Sequence, residues 1–211
     1  MNPDLNQRSF LSDSNHVVLL EDDDFLRVDL KSLLELAGYV VHSYSNPLEF
    51  LSTPFNFAPA VIVSDMRMPG LSGVNLQSAL LEINRLIPFI FISGESTDYQ
   101  IIQSMKQGAI DFLIKPFNSD QLFTAINKGI ELDRAFIREI IFQKDKAFIL
   151  KKLSPRESQV YELLKKGYSN SELSQTLGIS LETTKQYKQE VMRKLELKSL
   201  SELIKFSSQL K

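Results

Sequence analysis

Along residues 15–135, short continuous apolar runs alternate with segments whose apolar residues recur every three or four positions. Val17-Val18-Leu19-Leu20 is the first run, and Glu21-Asp22-Asp23-Asp24 closes it. A helical pattern follows through Phe25, Leu26, Val28, Leu30, Leu33, Leu34 and Leu36, with Gly38 as its stop. Further strand patterns cover 39–44, 60–64 (closed by Asp65), 88–93 and 112–114. Helical segments such as 74–84 and 98–106 lie between them. Continuous apolar strands alternating with amphipathic helices predict an α/β fold, a parallel sheet covered on both faces. Ligands of such sheets bind at the carboxyl ends of the strands, where the strand order reverses.

From residue 119 a long helical pattern runs through Ile130, Phe136, Ile140 and Phe148, without Gly or Pro after Gly129. A stiff helical linker over 136–150 is expected. Beyond 150 the pattern is helical throughout. Ser154…Glu157, Ser169…Glu172 and Ser199…Glu202 each have capping-box spacing, Pro155 suits a first turn, and Gly167 and Gly178 are helix stops. The expected organisation is a disordered tail over 1–14, an α/β domain over 15–135, the linker, and a smaller all-α domain of four helices over 151–211.

Composition narrows the chemistry. The 211 residues include no Cys, which excludes disulfides and thiolate chemistry, and the two histidines, His16 and His42, cannot alone build a His-rich zinc site. No stretch approaches the roughly 20 apolar residues of a membrane helix. The first fourteen residues lack the apolar run of a signal peptide, so a cytoplasmic protein without membrane partners is expected. Residues 150–211 carry 12 Lys+Arg against 7 Asp+Glu, and the remainder 12 against 19, so the net charge of -2 hides an acidic half and a basic half. The basic half is the candidate for a polyanion partner.

Polar groups stand at the predicted strand ends: Glu21 and Asp22, Asp65, Ser93 and Lys115. In a parallel sheet they converge. Carboxylates from separate strands make an oxygen site suited to Mg²⁺, which can neutralise charge during phosphoryl transfer to a carboxylate. Each piece alone has a plainer reading. Glu21-Asp22 could merely face a helix dipole, Asp65 could be a turn residue, and Lys115 a solvated charge. The set is what points to a site.

Glu21-Asp22, Asp65-Met66-Arg67-Met68-Pro69-Gly70 with Gly73, Ser93-Gly94 and Lys115-Pro116-Phe117 resemble, in order and spacing, the response-regulator receiver family. The resemblance covers residues 15–135. It implies a five-stranded sheet of order 2-1-3-4-5 with Asp65 as phosphoacceptor. Mg²⁺ would be held by Asp22, by Asp65, by Glu21 through water and by the backbone carbonyl of Arg67. Lys115 would pair with the phosphate, Ser93 would be the switch hydroxyl and Phe112 the aromatic switch. Glu21 stands where Asp is commoner, and Ser93 where Thr also occurs.

In the basic half, 169–177 and 181–195 read as two helices joined at Gly178-Ile179-Ser180, the elements of a helix-turn-helix. Thr184, Tyr187, Val191 and Leu195 should face inward. Lys185, Gln186, Gln189 and Arg193 fall on another face that can enter a major groove, and Lys194 joins them as a candidate DNA contact. An ordinary solvated face would have the same spacing. Leu153-Ser154-Pro155-Arg156-Glu157, Gly167-Tyr168-Ser169-Asn170-Ser171-Glu172, Leu177-Gly178-Ile179-Ser180 and Val191-Met192-Arg193-Lys194-Leu195 are similar to the LuxR-type output domain, over 153–206. That implies a four-helix domain binding double-stranded DNA as a dimer. Thr184, Tyr187 and Lys188 depart from the family pattern, and Glu190 would oppose phosphates.

The reading is a regulator, not an enzyme. A sensor histidine kinase would phosphorylate Asp65, and a phosphorylation-dependent homodimer would bind promoter DNA. A Mg²⁺-dependent phosphatase is a rival, although Arg67 stands where such enzymes place a second carboxylate. A constitutive DNA-binding protein with a vestigial receiver is the other.

Overall fold

A computed structural model describes residues 11–83, 86–94 and 98–208. They form two compact units, which divide between Ile140 and Ile141. In the first unit the elements are β1 (His16–Leu20), α1 (Asp24–Leu36), β2 (Val40–Tyr44), α2 (Pro47–Ser52), β3 (Ala60–Asp65), α3 (Gly73–Glu82), β4 (Phe89–Ser93), α4 (Asp98–Lys106) and β5 (Asp111–Ile114). The strands pair in parallel in the order β2-β1-β3-β4-β5, as the resemblance implied.

Successive strand residues point to opposite faces, and both faces here are buried. Val18, Leu20, Ile62, Phe89 and Phe91 pack with Phe50, Val74, Leu76 and Leu80 from α2 and α3. Val17, Leu19, Val61, Val63, Ile90 and Ile92 pack with Leu30 and Leu34 of α1 and with Leu122, Ala125, Ile126 and Ile130 beyond β5. Continuous apolar runs were needed in β1, β3 and β4, which are buried on both faces, whereas the edge strands β2 and β5 are partly exposed. The short α2 was not legible from periodicity. It is set by local chemistry: Asn46 accepts the Leu48 N–H at 2.8 Å, and Pro47 occupies the first turn.

Residues 1–10 of the predicted tail lie outside the described residues. Within 11–14 the chain is tied down, because the Ser12 N–H donates to the Ala58 carbonyl at 2.6 Å. The helix α5 (Ser119–Leu150) is unbroken over 32 residues, includes the whole predicted linker and crosses the division between the units.

The second unit contains α6 (Pro155–Lys165), α7 (Asn170–Leu177), α8 (Leu181–Lys194) and α9 (Leu200–Ser208). Leu153, Val160, Tyr161, Leu164, Leu173, Val191, Leu195 and Leu203 form its core. Reciprocal capping boxes start α6 and α7. The third is incomplete: Ser199 Oγ accepts the Glu202 N–H, but the Glu202 carboxylate takes the Lys198 N–H instead of that of Ser199. Gly178, at φ 64, provides the left-handed residue that ends α7 and begins the turn into α8. The end of α5 belongs to this unit too, since buried Lys146 donates to the Phe206 carbonyl on α9.

Candidate functional site

Register brings the predicted strand-end residues to one edge. Leu20 pairs with Ser64, Asp65 with Ile92, and Ser93 with Ile114. Glu21, Asp65, Ser93 and Lys115 therefore leave the sheet side by side. Strand order reverses between β1 and β3, which places Glu21 and Asp65 on either side of the switch point.

Lys115 Nζ lies 2.6 Å from Asp65 Oδ2 and 3.0 Å from Glu21 Oε2. The other oxygen of Asp65 accepts the Arg67 N–H at 2.8 Å, so the turn after β3 orients its own carboxylate. Arg67 is otherwise exposed. The acidic run divides its labour. Asp23 caps α1 by accepting the Leu26 N–H at 2.9 Å, and Asp24 pairs with Arg27. Glu21 and Asp22 face the pocket, where one oxygen from each lies within 4.8 Å of the other and of one from Asp65.

The half-buried Lys115 ammonium and the buried Glu21 carboxylate respond differently to the same contact. Burial pushes the Glu21 carboxyl up more than its pairing with Lys115 pulls it down. At Lys115 burial works against the charge, but the hydrogen bonds it donates to Asp65 and Glu21 and their negative charge together raise its pKa. The carboxylate is sealed while the lysine stays 24% exposed, which accounts for the difference.

Gly73 explains its place in the motif. A Cβ there would meet the Asp65 carbonyl oxygen at 2.5 Å and Phe91 at 2.9 Å. The start of α3 thus closes against the backbone of Asp65, with Ser72 capping it and the Gly73 N–H donating to the Met66 carbonyl. Ser93 is buried at the end of β4, and Phe112 is half-buried against the apolar core.

Three carboxylates on one edge form a hard, anionic oxygen set of the kind a divalent cation such as Mg²⁺ accepts. The residues present fit such an ion.

In the second unit Lys185, Gln186, Gln189 and Arg193 are exposed on one side of α8, while Thr184, Val191 and Leu195 are buried. Thr184 satisfies its hydroxyl by donating to the Ser180 carbonyl at 2.9 Å. Lys188 reaches Asn170 Oδ1 at 3.4 Å. Lys194 is not on the exposed side. Its ammonium lies 2.7 Å from the buried Glu157 carboxylate and 3.3 Å from the Lys152 carbonyl. It follows Val191 by three positions and Tyr187 by seven, so helical periodicity turns it toward the core side. Glu157 was the missed partner. Its capping-box role was legible, but its burial, and hence its need for a counter-charge, was not.

Comparisons with known proteins agree with this division. The response regulator receiver domain family matches residues 17–127, and the bacterial regulatory proteins of the luxR family match 151–207. Nodulation protein W of Bradyrhizobium diazoefficiens is 34% identical over 92% of this chain and 86% of its own length. The response regulator TodT of Pseudomonas putida is 32% identical over 95% of this chain and 89% of its own. The structure of the response regulator StyR, 33% identical, matches with a TM-score of 0.84 over 93% of this chain and 99% of that one. No helix among the described residues is long and apolar enough to cross a membrane. The chain belongs to the two-component response regulators, with a receiver domain followed by a LuxR-type DNA-binding domain that controls transcription.

Proposed function

We propose that Asp65 is the phosphoacceptor of this regulator and that a sensor histidine kinase in the cytoplasm supplies the phosphoryl group. The observation that carries the reading is the Lys115 ammonium bridging Asp65 and Glu21 beside a third carboxylate. A carboxylate oxygen of Asp65 forms the new bond to phosphorus, and the bond from phosphorus to the donor nitrogen breaks. The Arg67 N–H holds one Asp65 oxygen in place, and Lys115 transfers its contact from the carboxylate to the incoming phosphoryl oxygens. Ser93, buried at the same edge, donates its hydroxyl to them, and Phe112 turns inward as Ser93 moves. Asp22, Asp65, the Arg67 carbonyl and, through water, Glu21 would hold Mg²⁺, which when bound would offset the charge gathered during transfer.

The chain is a switch and not an enzyme acting on a diffusible substrate. Phosphorylation adds roughly two negative charges and strong acceptor oxygens at the sheet edge, which favours a homodimer. Lys185, Gln186, Gln189 and Arg193 on α8 then contact promoter DNA. Lys194 belongs to the scaffold of that domain.

Intact mass and DNA binding, measured with and without a small acyl phosphate donor plus Mg²⁺, test the reading. One added phosphoryl group, absent in Asp65→Asn, with tighter DNA binding is the expected result. Undiminished modification of Asp65→Asn would sink the assignment.

A further inference from the structure

The cations of α8 are mostly engaged. Lys194 is held by Glu157, and Lys188 reaches Asn170. Arg193, on the exposed side, is held by Glu190 one turn earlier: its Nη2 lies 2.8 Å from Oε2, and its Nε lies 3.2 and 3.3 Å from the two carboxylate oxygens. The guanidinium thus presents its fork to a carboxylate, the arrangement it would otherwise offer to a phosphate. Both side chains are open to solvent, at 66% and 45% exposure, so neither is sealed into the pair. The hydrogen bond from Arg193 also holds the Glu190 carboxyl below the usual carboxylate range, so it is ionised wherever DNA is bound near neutral pH.

A carboxylate on this side is costly for indiscriminate DNA binding. Sequence-independent affinity comes from cations on phosphates and the counterions they release. Glu190 removes Arg193 from that set and repels any phosphate near it. A base edge can satisfy it, because the amino groups of cytosine and adenine donate in the major groove. Arg193, once released, can take a guanine edge or a phosphate.

We propose that Glu190 determines DNA selectivity by restraining Arg193: wrong registers leave the pair closed and the carboxylate facing phosphate, and the right one opens it against base amino groups. Selectivity then arises by penalising the alternatives. The inference rests on the reading that α8 enters the major groove, and it assigns that surface a discriminating residue.

The test uses the full phosphorylated chain, a random-sequence duplex, and a duplex selected by the wild type, each titrated over a range of salt. Glu190→Gln keeps the shape and removes the charge. It should bind the random duplex several-fold tighter, with the slope of log K against log salt steeper by about one. The ratio of selected to random affinity should fall. In an Arg193→Gln background the same change should give a clearly smaller gain, since only the direct repulsion of phosphate is then relieved. Unchanged slope and ratio in Glu190→Gln overturn the inference while leaving DNA binding itself intact. A gain undiminished without Arg193 overturns it too, since the carboxylate would then act through net charge alone. If the phosphorylated wild type binds neither duplex, the DNA-binding reading fails and takes this inference with it.

Discussion

Lys115 and Lys194 are nearly alike in geometry. Each ammonium lies against a carboxylate, at 2.6 and 2.7 Å, and the side chains are 24% and 26% exposed. Their surroundings differ in charge balance. Lys115 meets Asp65 and Glu21, with Asp22 completing the cluster, so three carboxylates face one ammonium. Lys194 has one carboxylate within hydrogen-bond reach, Glu157, and that carboxylate also accepts the Ser154 N–H at 2.6 Å within a completed capping box. A surplus of buried negative charge is costly and persists where another cation or a reacting group is to be received. A balanced pair with its remaining hydrogen bonds filled is a fastening. Distance alone does not separate the two.

The sharpest way to break this comparison is to remove each ammonium in turn. Lys115→Met should strongly weaken the rise in DNA binding that follows phosphorylation, because the direct link from the new phosphoryl oxygens to the end of β5 is lost and only the route through Ser93 and Phe112 remains. Lys194→Met should keep that rise and show its effect in thermal unfolding. DNA titrations with and without an acyl phosphate donor, beside melting curves for both variants, decide the matter. Equal loss of the response in the two variants would mean that the charge imbalance carries no functional meaning.

A smaller effect is expected from the wall of the first pocket. The Cβ of Gly73→Ala would lie 2.5 Å from the Asp65 carbonyl oxygen, which is backbone and cannot swing away. Overpacking of this kind costs about 2–3 kcal/mol, to be read from chemical denaturation of the full chain. A cost within experimental error would show that the start of α3 has room to move, and that Asp65 is less firmly held than its hydrogen bonds indicate.

Next in size is Glu157→Gln. The variant keeps the volume but loses the charge, leaving Lys194 without its carboxylate and the Ser154 N–H with a weaker acceptor. About 1–2 kcal/mol of stability should go, as for a lost helix cap with a neighbouring pair. The salt dependence of DNA binding should not change, because neither residue lies on the exposed side with Lys185, Gln186, Gln189 and Arg193. A shallower salt slope would return Lys194 to the DNA contacts.

These contrasts also show what could be read in the sequence. The strand order came from the resemblance to the receiver family, while the pocket was legible because β1, β3, β4 and β5 are apolar runs that end in, or are followed at once by, a polar residue, and a parallel sheet can only gather such ends at one edge. The exposed side of α8 was legible from helical spacing. The lost information was long-range. Glu157 and Lys194 are 37 residues apart, and no local pattern joins them. Helix α2 is six residues long and carries only a cap and a proline as its signal. The division of Glu21-Asp22-Asp23-Asp24 into two pocket residues and two helix-start residues depends on backbone direction, which composition does not record.

A contact between basic groups without any carboxylate gives the smallest expected effect, and it sharpens the comparison from the other side. His16 Nδ1 and His42 Nε2 lie 3.1 Å apart, with Phe57 stacked on both rings and Phe55 edge-on to His42. They are the only two histidines of the chain. Burial lowers the pKa of both, and at His16 the positive charge His42 would carry lowers it further. One ring must donate and the other accept, so full protonation would set two cations against each other. Both pKa values are depressed on folding, so the unfolded chain binds more protons. The stabilising contribution is complete above the unfolded value of about 6.5 and is lost as pH falls through the lowered folded values. Glu21, with its raised pKa, acts in the opposite sense, and Glu157, with its lowered one, acts only at more acidic pH. Denaturation midpoints of the full chain between pH 8 and pH 5 should therefore fall on the acid side, and His42→Gln should flatten that fall. A wild-type profile flat across this range, or a slope unchanged in the variant, would show that the ring pair tolerates its protons and that a buried like-charge contact here carries no cost.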